Sequence, residues 1–283
     1  MLQLSPRLNL TAGVRFDVFR AHYRDQLQAP ITTRQATASI VSPKLNLYYT
    51  TSPTLQFYCK SGKGFHSNDT RVVVLQNGRE VLPAAYGADL GVVVKPAPRL
   101  LLQAAAWHLW LAQEFVYVGD EGVVEPGGKT RRQGLDLSLR YQLTRHLYAD
   151  ADFTAAKPRA LGAEAGAAYL SLAPTFTSTG GLSVQSWHRF SGSLRYRYLA
   201  DRPATEDNSL VATGYFVADA QVNYSHLRYQ LGFSVQDLLN TRWKETQFAT
   251  ESRLQGETAP VEEIHFTPGT PFFARLSATF FFQ

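Results

Sequence analysis

Pro271-Phe-Phe-Ala-Arg-Leu-Ser-Ala-Thr-Phe-Phe-Phe282 decides how the rest of the sequence is read. At a period of two, Phe272, Ala274, Leu276, Ala278, Phe280 and Phe282 share one face, and Arg275, Ser277 and Thr279 share the other. A wholly apolar face backed by a polar one over roughly ten residues is the pattern of a strand between hydrocarbon and water. A half-buried strand of a soluble sandwich has the same pattern, so recurrence along the chain must choose between them.

The pattern recurs. From Leu8 to Val18, Leu8, Leu10, Ala12, Val14, Phe16 and Val18 oppose Asn9, Thr11, Arg15 and Asp17. After a polar loop to about Gln35, a second strand ends in Lys44-Leu-Asn-Leu-Tyr-Tyr49, and a third runs from Thr54 towards Phe65. Further strands are expected over Tyr86–Lys95, Arg99–Val118, Leu135–Gln142, Leu147–Ala156, about Tyr169–Gln185, Ser191–Leu199 and Gly214–Tyr224. The eleventh starts at Tyr229, and the opening stretch is the twelfth. Connections alternate between short and long from Pro53 onward. A sandwich does not require that alternation, whereas an outer-membrane barrel does, with short periplasmic turns and long extracellular loops. The expected fold is therefore all-β: an antiparallel transmembrane β-barrel segment of about twelve strands.

Composition fits. The 283 residues include 14 Tyr, 17 Phe and 4 Trp, many at strand ends, as interfacial girdles require. No stretch offers the ~18 uninterrupted apolar residues of a membrane helix. The net charge of +5 is spread over strands and loops with no basic cluster interleaved with aromatics, which speaks against nucleic acid. Cys59 is the single cysteine and reads as a small apolar filler. The N-terminus, Met1-Leu-Gln-Leu-Ser-Pro-Arg7, lacks a secretory signal, so the expectation is a cytosolic chain or a piece of a longer one.

Several segments resemble the C-terminal barrel portion of TonB-dependent outer-membrane receptors. They are Ser42-Pro-Lys-Leu45 with Gly62-Lys-Gly-Phe65 and Ser67, Glu114-Phe-Val-Tyr-Val-Gly-Asp120 before Arg131-Arg-Gln-Gly-Leu-Asp-Leu137, and Ser193-Leu-Arg-Tyr-Arg-Tyr198 with Asp201-Arg-Pro203. Val235-Gln-Asp-Leu-Leu-Asn-Thr-Arg-Trp243 and the strand after Pro268-Gly-Thr-Pro271 complete the set. The resemblance runs from about Leu8 onward. It implies part of a 22-stranded barrel that is plugged by an N-terminal domain and imports a scarce small-molecule ligand of the siderophore, haem, cobalamin or glycan class. Residues 1–283 are then a single barrel portion without plug, TonB box or first strands. Implied partners are outer-membrane lipid, the TonB complex through the plug, and the barrel-assembly machinery. In the family the assembly signal usually ends on the aromatic itself, whereas here Gln283 follows Phe282. Phe280 and Phe282 are the candidate assembly-signal aromatics. Twelve strands alone leave unpaired edges in lipid, so this polypeptide is not expected to transport by itself.

The alternation turns Arg195, Arg197, Asp219 and Arg275 towards the lumen, where they line the path or bond the plug. No catalytic, cofactor or metal residue is assigned, and the chain is read as non-enzymatic. Gly127-Gly-Lys-Thr130 lacks the upstream glycine of a phosphate-binding loop, Val123 standing there. Ser186-Trp-His188 and Ser225-His226 fall in short turns, the wrong side for an enzyme acting at the outer leaflet. His66 and His265 are loop candidates for haem or metal capture against an ordinary solvated role. Asp120, Glu121, Glu257, Glu262 and Glu263 are loop candidates for a cationic or chelated ligand. Two rival readings stand beside the receptor: a self-contained twelve-strand translocator or barrel enzyme, whose first and last strands would pair, and a soluble β-sandwich binding module.

Overall fold

A computed structural model describes residues 2–26, 30–66, 81–118, 123–126 and 128–282. In chain order the strands are β1 (Leu2–Ser5), β2 (Leu8–Asp25), β3 (Thr32–Ser52), β4 (Leu55–Phe65), β5 (Ala84–Ala97) and β6 (Leu100–Leu111). Then come β7 (Phe115–Val118), β8 (Val123–Pro126), β9 (Lys129–Gln142), β10 (Leu147–Leu161), β11 (Phe176–Trp187) and β12 (Phe190–Leu199). The remainder are β13 (Arg202–Pro203), β14 (Val211–Ala212), β15 (Tyr215–Ser225), β16 (Tyr229–Gln236), β17 (Lys244–Ser252), β18 (Val261–Pro268) and β19 (Phe273–Phe280). Among the described residues there is no helix. Thirteen strands form one antiparallel sheet in the order β1-β2-β3-β4-β5-β6-β9-β10-β11-β12-β15-β16-β19. These are the twelve expected strands in their expected order, preceded by β1. The first and last strands are not paired among the described residues, which gives the self-contained barrel no support.

Three expected boundaries move. The strand expected over Arg99–Val118 ends at Leu111, and β7 turns into a separate hairpin with β8. The last rung is the Ala112 N–H donated to the Ala84 carbonyl at 2.8 Å; beyond it the Glu114 N–H goes to Gly128 and the Glu114 carboxylate pairs with Arg132. The strand expected from Tyr169 starts at Phe176. The longest connection, taken as loop, carries the hairpin β17–β18, in register from Thr246↔Thr267 to Ser252↔Val261.

The chain divides into two compact units, residues 1–91 with 106–133 and 159–164, and residues 92–105 with 134–158 and 165–283. In the first, β2 and β3 pair without interruption from Leu8↔Tyr49 to Asp25↔Thr32. At about 3.3 Å per residue, the 18 residues of β2 span roughly 60 Å, well beyond a bilayer's hydrocarbon. Val14 and Phe16 on β2 are 74% and 64% exposed, while Arg15 and Asp17 beside them bond to each other at 2.8 Å. Cys59 does not fill a core; it is exposed, in register with Leu47 and on the side of exposed Phe57.

In the second unit the register lays out whole rows. Gly192, Val222, Phe233 and Leu276 are successive partners across β12, β15, β16 and β19. Val222, Phe233 and Leu276 are 50%, 45% and 81% exposed. One residue along, the next row is Ser193, Gln221, Ser234 and Arg275. An apolar row left open beside a polar row is the opposite of a sandwich, whose apolar faces cover each other. The few buried apolar side chains of this unit, Ala204, Ala212, Val217, Ala218, Val235 and Trp243, gather around the long connections and the adjoining ends of β15 and β16.

Which face meets oil is testable with two neighbours. Val222→Arg should cost about 2–4 kcal/mol near mid-membrane, whereas Gln221→Arg should cost little. The check is the unfolding midpoint of each variant in lipid; equal losses would remove the assignment of faces.

Candidate functional site

The polar side of the second unit holds a ladder of charges. On β9, Arg140 Nη2 donates to both oxygens of Asp152 at 2.9 and 2.8 Å, and Ser138 Oγ donates to the same carboxylate at 2.7 Å. Thr154 Oγ1 donates to Asp136 at 2.8 Å. Arg195 on β12 pairs with Asp150 on β10, two strands away. The strand between makes this reach possible, because Asp150 and Arg195 are both in register with Gly181. A Cβ at Gly181 would lie 2.0 Å from the Leu194 carbonyl oxygen, so no side chain stands between the partners. Arg195 and Asp150 keep 41% and 22% of their side-chain surface, so solvent weakens the pair to about 1 kcal/mol or less.

Arg197 sits 3.6 Å from Asp219, a looser pair, with its guanidinium 5.6 Å over the Trp243 ring. Asp219 also accepts the Asp237 N–H at 3.0 Å. Asp237 has φ 45°, and its carboxylate is buried without a hydrogen-bond donor among the described residues. Arg275 lies opposite Ser234 and enters no ion pair among the described residues. The structure thus places all four lumen candidates on polar positions; it brings Arg197 to Asp219, gives Arg195 to Asp150, and leaves Arg275 apart. Asp150, Asp152 and Asp237 were missed as site residues. For Asp150 and Asp152 the signal was two acidic residues two apart on one strand, Asp150-Ala-Asp152, but the partner two strands over depends on register.

Above the wall lies a loop layer. The Trp243 ring packs at a tilt against Tyr215, 4.8 Å between centroids, and its Nε1 donates to the Thr270 carbonyl at 3.0 Å. Buried Gln247 accepts from the Thr213 N–H at 2.9 Å and donates to its carbonyl at 2.8 Å. Arg202 is buried, and desolvation pushes its guanidinium below the usual range. On the exposed loop before β14, the Ser209 N–H and Oγ–H are donated to Asp207 and pull its carboxyl down to about 2.

The remaining candidates assemble no chemistry. His265 Nε2 lies 3.2 Å from Ser252 Oγ and 3.3 Å from Glu263, while Ser252 donates directly to Glu263 at 2.9 Å. The imidazole does not stand between the hydroxyl and the carboxylate, so this is no nucleophile triad. Among the described residues no group of three or more His, Cys, Asp or Glu gathers as metal ligands. Lys129 and Thr130 open strand β9 rather than a helix, so the phosphate-loop reading has no structural context. His66 donates its N–H to the Pro83 carbonyl at 3.3 Å, and Glu257 accepts the Leu254 N–H at 2.7 Å. Asp120 and Glu121 lie outside the described residues. Phe280 pairs with Tyr229 and is 64% exposed, and Phe282 is 95% exposed, both beyond any core.

The family described as TonB dependent receptor-like, beta-barrel matches residues 1–238. The chain belongs to this family. It is an outer-membrane β-barrel protein. Solved structures agree at the level of fold. The siderophore receptor PiuA from Acinetobacter baumannii aligns with TM-score 0.76 at 14% identity, over 98% of this chain and 41% of that one. The ferric yersiniabactin uptake receptor FyuA from Yersinia pestis gives 0.73 at 14%, over 99% and 44%. The copper transporter OprC gives 0.73 at 17%, over 97% and 46%. The chain therefore spans less than half the length of these proteins. No curated protein matches it in sequence.

Two outcomes are expected of this receptor segment. In a double-mutant cycle, Arg195→Ala and Asp150→Ala should couple by about 0.5–1 kcal/mol in unfolding free energy; additivity would remove the pair from the ladder. Because the Asp207 carboxyl is lowered by folding, its contribution is complete above the ordinary aspartate range and fades only as pH falls towards about 2. Amide exchange of Ser209 should therefore stay slow at pH ~4 in the native chain and quicken there in Asp207→Ala, which leaves no side-chain acceptor.

Proposed function

We propose that this chain forms wall and extracellular loops of a receptor that takes up a chelated scarce metal, of the ferric siderophore class, with energy from the TonB complex. The observation that carries the reading is the pair of rows Val222-Phe233-Leu276 and Gln221-Ser234-Arg275: one side of the sheet is built for lipid and the other for a polar interior. The relatives named for siderophore and copper transport support a metal chelate over a glycan or cobalamin. Arg195, Arg197, Asp219 and Arg275 face the lumen and meet either the passing ligand or an N-terminal plug. That plug is the part that moves and contacts TonB. Phe280 and Phe282 present aromatics at the periplasmic rim to the barrel-assembly machinery. Ligand recognition falls to the long connections, and no bond-making chemistry is assigned to any residue.

The test is uptake by iron-starved cells expressing the complete receptor, offered a panel of labelled ferric siderophores. One member of the panel should accumulate, and accumulation should fall to background in cells lacking TonB. Accumulation of the same chelate without TonB would overturn the energised mechanism, and failure of every ferric chelate would overturn the substrate class.

A further inference from the structure

Three of the short turns of the second unit carry a charge pattern that uptake does not use. Leu143-Thr-Arg-His146 joins β9 to β10, His188-Arg189 joins β11 to β12, and His226-Leu-Arg228 joins β15 to β16. Each turn has one arginine and one histidine and no acidic residue, whereas most of the acidic residues lie in the long connections. The turns are locked to one edge of the sheet through their main chain. The Gln185 N–H is donated to the His146 carbonyl at 2.8 Å, Ser225 to Arg189 at 2.9 Å, and Phe281 to Arg228 at 2.9 Å. Turns that recur every second strand stand about 10 Å apart along that edge. Arg145, Arg189 and Arg228 are exposed, and none is in an ion pair among the described residues.

Apolar surface lies at the same edge. Trp187 is 54% exposed with its ring against His188 at 5.7 Å, and Phe190 is 41% exposed with its ring 5.1 Å from Tyr224. His226 stacks on Tyr229 at 4.8 Å, and Leu227, between His226 and Arg228, is 86% exposed. Exposed aromatics and leucine beside unpaired arginines match a headgroup region, where rings sit at the oil boundary and guanidiniums reach phosphate. An acidic protein partner would satisfy the arginines but would leave Trp187 and Leu227 unexplained.

We propose that this row binds the phosphates of anionic phospholipids in the periplasmic leaflet, the side on which short turns lie in outer-membrane barrels. Arg99 supplies an internal control. It occupies another short turn, but it lines a cleft of about 460 Å³ on the polar side with Lys95, Arg140 and Asp150.

The experiment uses the complete receptor extracted from the outer membrane and placed in vesicles of phosphatidylcholine with or without phosphatidylglycerol. Retained phospholipid is counted by native mass spectrometry after delipidation. The native protein should retain phosphatidylglycerol over phosphatidylcholine about tenfold. Arg145→Gln, Arg189→Gln and Arg228→Gln combined should abolish that preference, the three lysine substitutions combined should keep it, and Arg99→Gln should leave it unchanged. Should the triple glutamine variant not fold, as judged by loss of the heat-dependent shift in gel mobility, each single variant should lower the preference stepwise. Equal retention by native and glutamine proteins overturns the proposal. So does capture of an acidic peptide with no phosphatidylglycerol preference. Chelate uptake is not the readout, so this result and the uptake result can fail separately.

Discussion

In hydrocarbon an unpaired peptide group costs several kcal/mol, because no water is there to receive it. Everything else in this chain is arranged around that constraint. The unbroken register from Leu8↔Tyr49 to Asp25↔Thr32, and the rows continuing from β10 to β19, pair peptide groups between neighbouring strands. Once the ladder is laid, alternation of side chains is geometry. One face has to be Val222, Phe233 and Leu276, and the other is free to be Gln221, Ser234 and Arg275. The same constraint keeps the connections at one end short.

The polar face uses that freedom for contacts that are individually weak. Asp150–Arg195 and Arg140–Asp152 are partly solvated, so neither stabilises much. Their weight lies in direction. Arg195 reaches Asp150 across β11 at Gly181, which has no side chain, so two strands that are not neighbours in the sheet are joined on the polar side. A wall braced this way keeps its charges at set positions on the polar face.

Much of this was legible in the sequence, and the limits have physical causes. A period of two is a local property, so it separated Val222 from Gln221 and Leu276 from Arg275 without any knowledge of pairing. It also ordered the twelve strands, since hairpin neighbours in sequence are neighbours in space. Pairing across strands is not local. That Arg195 meets Asp150 rather than Asp219, its own register partner, depends on the empty position at Gly181. The hairpin β17–β18 escaped because Glu251 and Glu262, and Thr250 and Glu263, face each other in register. With carboxylates on both faces, the stretch carries no apolar stripe for periodicity to find. Cys59 was assigned to a core that a lipid-facing strand does not have.

The attachment of the loop layer separates holding from recognising. Gln247 bonds the main chain of Thr213 at both its polar atoms, Trp243 bonds the carbonyl of Thr270, and Thr241 bonds that of Phe216. Asp219, in the wall, receives a peptide N–H from Asp237. These contacts read backbone rather than side chains on at least one partner, so the surrounding sequence can change without releasing the loop. Gly269 is the exception: a Cβ there would lie 2.1 Å from the Trp243 ring, and the site admits only glycine. Exposed residues farther out, including Glu257, Glu262 and His265, make their contacts within the same outer connection, Glu257 with Leu254 and His265 with Ser252. A barrel built so can keep its wall and its loop base while the outer surface of its loops is remade for a different ligand. Solved structures at 14–17% identity share this fold.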